Sequence, residues 1–130
     1  MAAKKSKVSE KQIIEDLFAE LKNLPLRTFP ALWEAGLDAP DRQGVYVIYD
    51  PRGRVLHVGR TTSARGGIRQ GLRDHMANAS SFTTQYLKGD GGRLRGRYTY
   101  RALAVRNRRH RALLEAYATS HLCPAHLGLG

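Results

Sequence analysis

Residues 44–76, GVYVIYDPRGRVLHVGRTTSARGGIRQGLRDHM, constrain the fold more than any other stretch. Residues 44–49 and 55–58 are rich in β-branched and aromatic side chains, which suit a pleated, half-buried surface. Between them, Asp50-Pro51-Arg52-Gly53 has a proline that presets φ for one corner of a turn and a glycine that accepts left-handed geometry at the next. Two strands folded back as an antiparallel hairpin follow from this pattern. Residues 61–67 then read as a small polar loop whose paired glycines, Gly66 and Gly67, let backbone amides approach a phosphate. In the helix that follows, Ile68, Leu72 and Met76 form the buried face, and Arg69 and Arg73 share a neighbouring face one turn apart. Gly71 costs about 1 kcal/mol there relative to alanine, which marks a bend or a tight contact.

The remaining elements are arranged around this unit. Ser9 and Gln12 have capping-box spacing ahead of a helix whose apolar face is Ile13, Ile14, Leu17, Phe18 and Leu21. Asn23 and Pro25 end it, and the segment to Gln43 wraps the domain with Leu26, Phe29, Leu32 and Trp33 as packing anchors. Phe82, Tyr86 and Leu87 suggest a short helical turn, and residues 89–97 a mobile loop bearing Arg93, Arg95 and Arg97. Residues 98–105 alternate as a third antiparallel strand, with Tyr98, Tyr100 and Ala102 opposed to Thr99, Arg101 and Leu103. The last helix contains Leu113, Leu114, Ala116, Tyr117 and Leu122 behind an arginine-rich start. Residues 1–8 read as a basic tail, 9–41 as helix and wrapping segment, 42–126 as the main domain and 127–130 as a C-terminal tail. The fold class expected is α+β, a small three-stranded antiparallel sheet flanked by helices.

Charge points to the partner. Twenty-two Lys and Arg face eleven Asp and Glu, a net charge of +11, while 42% hydrophobic residues are ordinary for a folded chain. Between Pro51 and Arg111 the only acids are Asp74 and Asp90, and almost every base is arginine, whose planar guanidinium binds two phosphate oxygens at once. A nucleic acid is the partner expected. Arg108, Arg109 and Arg111 at a helix N-terminus oppose its dipole unless an anion sits there. Glu115, between Leu114 and Ala116, needs a partner if it faces inward, and a divalent metal is an obvious one.

With these residues in place, the chain over roughly residues 42 to 126 resembles the GIY-YIG nuclease superfamily. Gly44-Val45-Tyr46 is similar to the first half of that motif. His57-Val58-Gly59 is similar to the second, with histidine for its tyrosine, and Arg60 holds the basic position that follows. The resemblance implies a metal-dependent phosphodiesterase that uses one Mg²⁺ or Mn²⁺ ion to cut DNA. It makes Tyr46 the general base or water-positioning hydroxyl, Glu115 the metal ligand, and an arginine of the central helix the group that stabilises the phosphorane. The family arginine lies four positions before the helix histidine, His75, where this chain has Gly71; Arg69 is then the expected substitute, with Arg73 as its partner. His57 could accept a proton or serve as a neutral hydrogen-bonding substitute, and His126 stands where the family has asparagine. The catalytic set expected is Tyr46, His57, Arg69, His75 and Glu115. Substrate contacts fall to Gly59, Arg60, Thr61, Arg65, Arg73, Arg93, Arg95, Arg97, Arg108 and Arg109.

A degenerate relative that binds nucleic acid without cutting it, alone or in a repair or defence assembly, is the alternative. His121, Cys123 and His126 match no strong zinc spacing, and a helix end with a buried cysteine is the ordinary reading. One cysteine, no apolar run of membrane-spanning length and no apolar stretch after the N-terminal lysines lead to the expectation of a cytoplasmic protein without membrane attachment.

Overall fold

Ser9 opens the first helix by accepting a hydrogen bond from the Gln12 amide at 3.1 Å, which satisfies one unpaired donor of the first turn. This helix, α1 (Glu10–Asn23), buries Ile14, Phe18 and Leu21, the stripe its spacing predicts, and ends at extended Leu24 ahead of Pro25. The structure, a computed structural model, describes residues 8–32, 36–62 and 65–128. The lysine tail, the Trp33 anchor, two residues of the polar loop and the last two of the C-terminal tail lie outside the described residues.

The fold is α+β. Its sheet has four antiparallel strands in the order β1-β4-β2-β3, with β1 at Arg27–Thr28, β2 at Gly44–Tyr49, β3 at Val55–Arg60 and β4 at Thr99–Ala104. The sequence predicts three. The additional strand, β1, is two exposed residues that pair Arg27 with Tyr100 and Thr28 with Thr99. Two residues have no alternation to read, and the prolines at 25 and 30 give the same extended preference to a wrapping segment.

Strand β2 is central, and all six of its residues are buried between β3 and β4. The hairpin turn closes through the Asp50 carboxylate, which accepts from the Arg52 and Arg54 amides at 2.9 Å each, while Gly53 takes a φ of +84°. Alternation then sorts the side chains. Tyr46, Ile48 and Tyr100 join Ile68, Leu72 and Met76 of α2 (Gly67–Met76) on one face. Val45, Val47, Tyr49 and Leu103 meet α1 and α3 (Arg108–Leu122) on the other, through Phe18, Leu21, Leu114 and Ala118. Each fully buried leucine or isoleucine stabilises this sandwich by about 1.5–3 kcal/mol.

Residues 77–96 contain a single π-helical turn, Phe82–Tyr86, and a 3₁₀ turn, Gly91–Leu94. The loop expected to be mobile is anchored at its middle. Leu94 is fully buried, and the Gly91 amide donates to Asn78 Oδ1 at 2.6 Å. At the start of α3 the Asn107 side chain accepts from the His110 amide at 3.0 Å. The charge conflict there is relieved from within: Arg109 makes a two-pronged bond to Glu10 of α1, at 2.8 and 3.0 Å. Arg111 is buried and donates to the carbonyls of Val105, Arg106 and Thr62. Among the described residues no helix is long and apolar enough to cross a membrane.

Candidate active site

Cross-strand pairing sets Tyr46 opposite Gly59 and Ile48 opposite His57, so Tyr46, Gly59 and His57 share the face under α2. Gly71 and His75, one turn apart on α2, turn toward Tyr46. A Cβ at Gly71 would lie 3.5 Å from the Tyr46 ring, and the Tyr46 hydroxyl is 2.7 Å from His75 Nε2. Gly71, expected to mark a bend or a tight contact, therefore faces the Tyr46 ring at ordinary van der Waals distance.

Counting hydrogens fixes the direction of these bonds. Thr83 Oγ1 donates its one proton to the His75 carbonyl at 2.7 Å, so it accepts from Ser80 Oγ at 2.9 Å. Ser80 has then used its own proton and accepts from His75 Nδ1 at 2.6 Å. Neutral His75 thus carries its hydrogen on Nδ1 and presents the Nε2 lone pair to Tyr46, which donates. Burial, and secondarily the nearby His126, lowers the His75 pKa to about 4. Burial also raises that of the Tyr46 phenol, with further increments from the negative charges of Glu115 and Asp74. At neutral pH the pair is a phenol donating to an imidazole.

A second chain of bonds holds His57. The chain after α3 returns to the edge strand β3, where the Ala125 and His126 amides donate to the Val55 and Leu56 carbonyls at 3.1 and 2.8 Å. This brings His126 Nδ1 within 3.1 Å of His57 Nδ1, and His126 Nε2 within 3.0 Å of Gln85 Oε1. With Gln85 presenting its oxygen, His126 donates from Nε2 and accepts at Nδ1, so His57 donates from Nδ1 and its Nε2 is unprotonated. Burial, then His75 and His126, push the His57 pKa down to about 3. Its ring centroid is 5.0 Å from His75 and 6.2 Å from Tyr46.

These shifts predict acid sensitivity. The folded protein keeps His57 and His75 neutral down to about 3 and 4, whereas the unfolded chain protonates both near their ordinary 6.5. The unfolded state binds more protons in that window, so the stabilisation is fully present above pH 6.5 and is lost as pH falls toward 4. Urea melts should show a loss on the order of 2 to 3 kcal/mol per pH unit near pH 5. A flat profile there would mean that the rings are not held neutral.

Glu115 approaches from the other face of the sheet. It accepts at Oε1 from Arg60 Nε, 3.0 Å away, and both side chains are about one-third exposed, at 30% and 33%. Because β3 is the edge strand and Gly59 has no side chain, the two faces meet around that edge, close enough for the Glu115 charge to be felt at Tyr46. The structure therefore gathers Tyr46, His57, His75 and Gly59 on one face and pairs Arg60 with Glu115 on the other.

Arg69 is not in this group. Its Nε donates to the Ala39 carbonyl at 3.1 Å. On a helix it lies six positions from His75, roughly 120° around the axis, whereas Gly71 is only about 40° away. Thr61 is buried, and its hydroxyl accepts from the Gly44 amide at 2.9 Å, so it anchors the strand end instead of facing a ligand. Arg109 is held by Glu10. Arg65, Arg73, Arg93, Arg97 and Arg108 are exposed and Arg95 is half-buried. His121 stacks on Tyr117 at 4.0 Å and Cys123 is exposed, not buried as expected. No group of three or more His, Cys, Asp or Glu able to hold a metal occurs among the described residues.

The sequence reading missed Ser80, Thr83 and Gln85, which fix the two histidines from the segment with the weakest periodicity. His126 stood out only as a substitution and a remote zinc candidate; nothing in its spacing pairs it with His57. No protein-family model matches the chain, and no curated protein matches it in sequence.

Proposed function

We propose that this protein is a divalent-metal-dependent endonuclease of the GIY-YIG type that hydrolyses phosphodiester bonds in DNA. The observation that carries the reading is the 2.7 Å contact of the Tyr46 hydroxyl with the lone pair of a neutral, buried His75. Water bound at the phenol oxygen gives up its proton to Tyr46 as it attacks phosphorus, Tyr46 passes its own proton to His75 Nε2, and the P–O bond to the leaving group breaks with that oxygen taking a proton from solvent. The resulting imidazolium keeps its Nδ1 hydrogen on Ser80, so Ser80 and Thr83 hold the ring in its accepting tautomer. General-base assistance of this kind contributes about 10²–10⁴ in rate.

Glu115 fits a Mg²⁺ or Mn²⁺ ion, because Mg²⁺ is commonly bound by one or two carboxylates, substrate phosphates and retained water. A partly exposed carboxylate whose Arg60 bond engages Oε1 has Oε2 for that purpose. When bound, the ion supplies Lewis-acid stabilisation of negative charge on the phosphoryl oxygens. Arg60 is the guanidinium that accompanies this carboxylate, and it takes the phosphate-facing role that Arg69 does not fill. The free, exposed Cys123 accords with a reducing compartment, the cytoplasm.

A nucleic-acid-binding protein without cleavage is the second reading, favoured by Gly71 at the position facing Tyr46 and by the turned-away Arg69. One assay separates the two: single- and double-stranded DNA incubated with Mg²⁺, Mn²⁺ or chelator, for wild type and Glu115→Ala. Wild type is expected to cut only with metal, and Glu115→Ala to lose at least about a hundredfold in rate. Its affinity in chelator should stay within about threefold, because phosphate contacts dominate binding. Binding with no metal-dependent cutting would remove the enzyme reading; cutting that persists in Glu115→Ala would remove the metal assignment.

A further inference from the structure

Beyond the Tyr46 site, a cavity of about 790 Å³ opens beside the hairpin turn. Five arginines line it, Arg52 and Arg54 from the turn and Arg93, Arg95 and Arg97 from the loop before β4, against a single acid, Asp50. Arg52 and Arg97 make no ion pair among the described residues, while Arg54 is shared with Asp50 at 3.4 Å. Charge of one sign in a concave site attracts an anion.

The wall of the cavity is aromatic. Tyr86 is half-buried, with its hydroxyl accepting from Arg54 Nη2 at 3.1 Å, and Tyr98 faces the same space. Tyr86 is also the outer ring of a stacked column. Its centroid lies 5.7 Å from Phe82 at an interplanar angle of 13°, and Phe82 lies 4.8 Å from His57 at 19°. The column, whose middle ring Phe82 is fully buried, links the Tyr46–His75 site to the wall of the arginine cavity and fixes Tyr86 relative to that site.

We infer that this cavity is a second substrate subsite that takes one unpaired nucleotide of the DNA strand, its phosphate on Arg52 and Arg97 and its base against Tyr86. The chemistry favours an unpaired base, since an aromatic face is available only to a base that has left its own stack. A cavity of this size accommodates a nucleotide. The inference deepens the nuclease reading and rests on it for the identity of the ligand; it makes the preferred substrate a junction, flap or loop with single-stranded DNA beside the cut.

The test reads binding alone, by fluorescence anisotropy in chelator, with a labelled single-stranded dodecamer and the matching duplex. Arg52→Ala/Arg97→Ala should weaken single-strand binding about tenfold and reduce the salt slope of log K by about 1.4. Lys11→Ala/Lys22→Ala, which removes the same charge from α1 on the opposite face, should change affinity less than about twofold. Tyr86→Leu should cost about tenfold on the single strand and under twofold on the duplex, with Tyr86→Phe close to wild type. Arginine variants that bind as wild type does would overturn the subsite, and so would a Tyr86→Leu loss equal on both DNAs. Thermal melts establish that each variant is folded, and the arginine pair tests the site independently of Tyr86. Full displacement of the dodecamer by deoxyadenosine monophosphate at equal nucleotide concentration would make this a free-nucleotide site and overturn the strand assignment. Wild type that binds and loses affinity in these variants but never cuts would remove only the nuclease reading. Wild type that binds neither DNA would remove both.

Discussion

On the proposed nuclease reading, Tyr46→Phe is expected to lower the single-turnover cleavage rate by about a thousandfold and to leave DNA affinity nearly unchanged. The substitution removes one oxygen. The ring stays in a core position that is 6% exposed, so packing under α2 persists. What disappears is the donor to His75 Nε2, and with it the route proposed for the proton of the attacking water. The unpartnered nitrogen costs about 1–3 kcal/mol of stability, which a urea melt will register without unfolding the protein. Because contacts to phosphate are untouched, the loss should appear in the rate at saturating enzyme and not in affinity. A single-turnover rate within fivefold of wild type would take Tyr46 out of the chemistry.

Gly59→Ala is expected to produce a comparable loss of rate without altering a polar atom. A methyl group there would sit 2.5 Å from both Cζ and the hydroxyl oxygen of Tyr46, closer than such contacts allow. To relieve that clash the ring must tilt away from β3, which lengthens its 2.7 Å bond to His75. Overpacking of this kind costs about 1–3 kcal/mol in stability. The expected rate is close to that of Tyr46→Phe, and the double variant should be little slower than either single one, because both act on one hydroxyl. Multiplicative losses in the double variant would show that Gly59 acts through something other than the tyrosine.

Much of this was legible in the chain itself. The hairpin, the Ser9 cap, the buried stripe of α2 and the strand at residues 99–104 all follow periods of two or 3.6 with clear punctuation. The two-residue strand β1 has no period. The site was legible where strand alternation reached it: Tyr46 and His57 lie on the same face because their strands pair in register. Arg69 shows the opposite failure, since chemical type was weighed over helical phase, and a count of positions from His75 already turns it away. Ser80, Thr83, Gln85 and His126 reach the site through tertiary contacts, which no local pattern reports.

The strand order has a kinetic consequence. Gly44 pairs with Thr61 nearby in the chain, but β2 receives its other neighbour from Ala104 and its fellows, and β1 waits for Thr99 and Tyr100. Such distant pairings close large loops and form late, well after a local hairpin can zip. The hairpin that carries Tyr46 is therefore expected to form before α2, the Ser80–Thr83 turn and the returning chain at His126 dock around it. A partly folded molecule would then display the hairpin without the His75 acceptor, so the proton path proposed for Tyr46 would be completed only in the last cooperative step of folding.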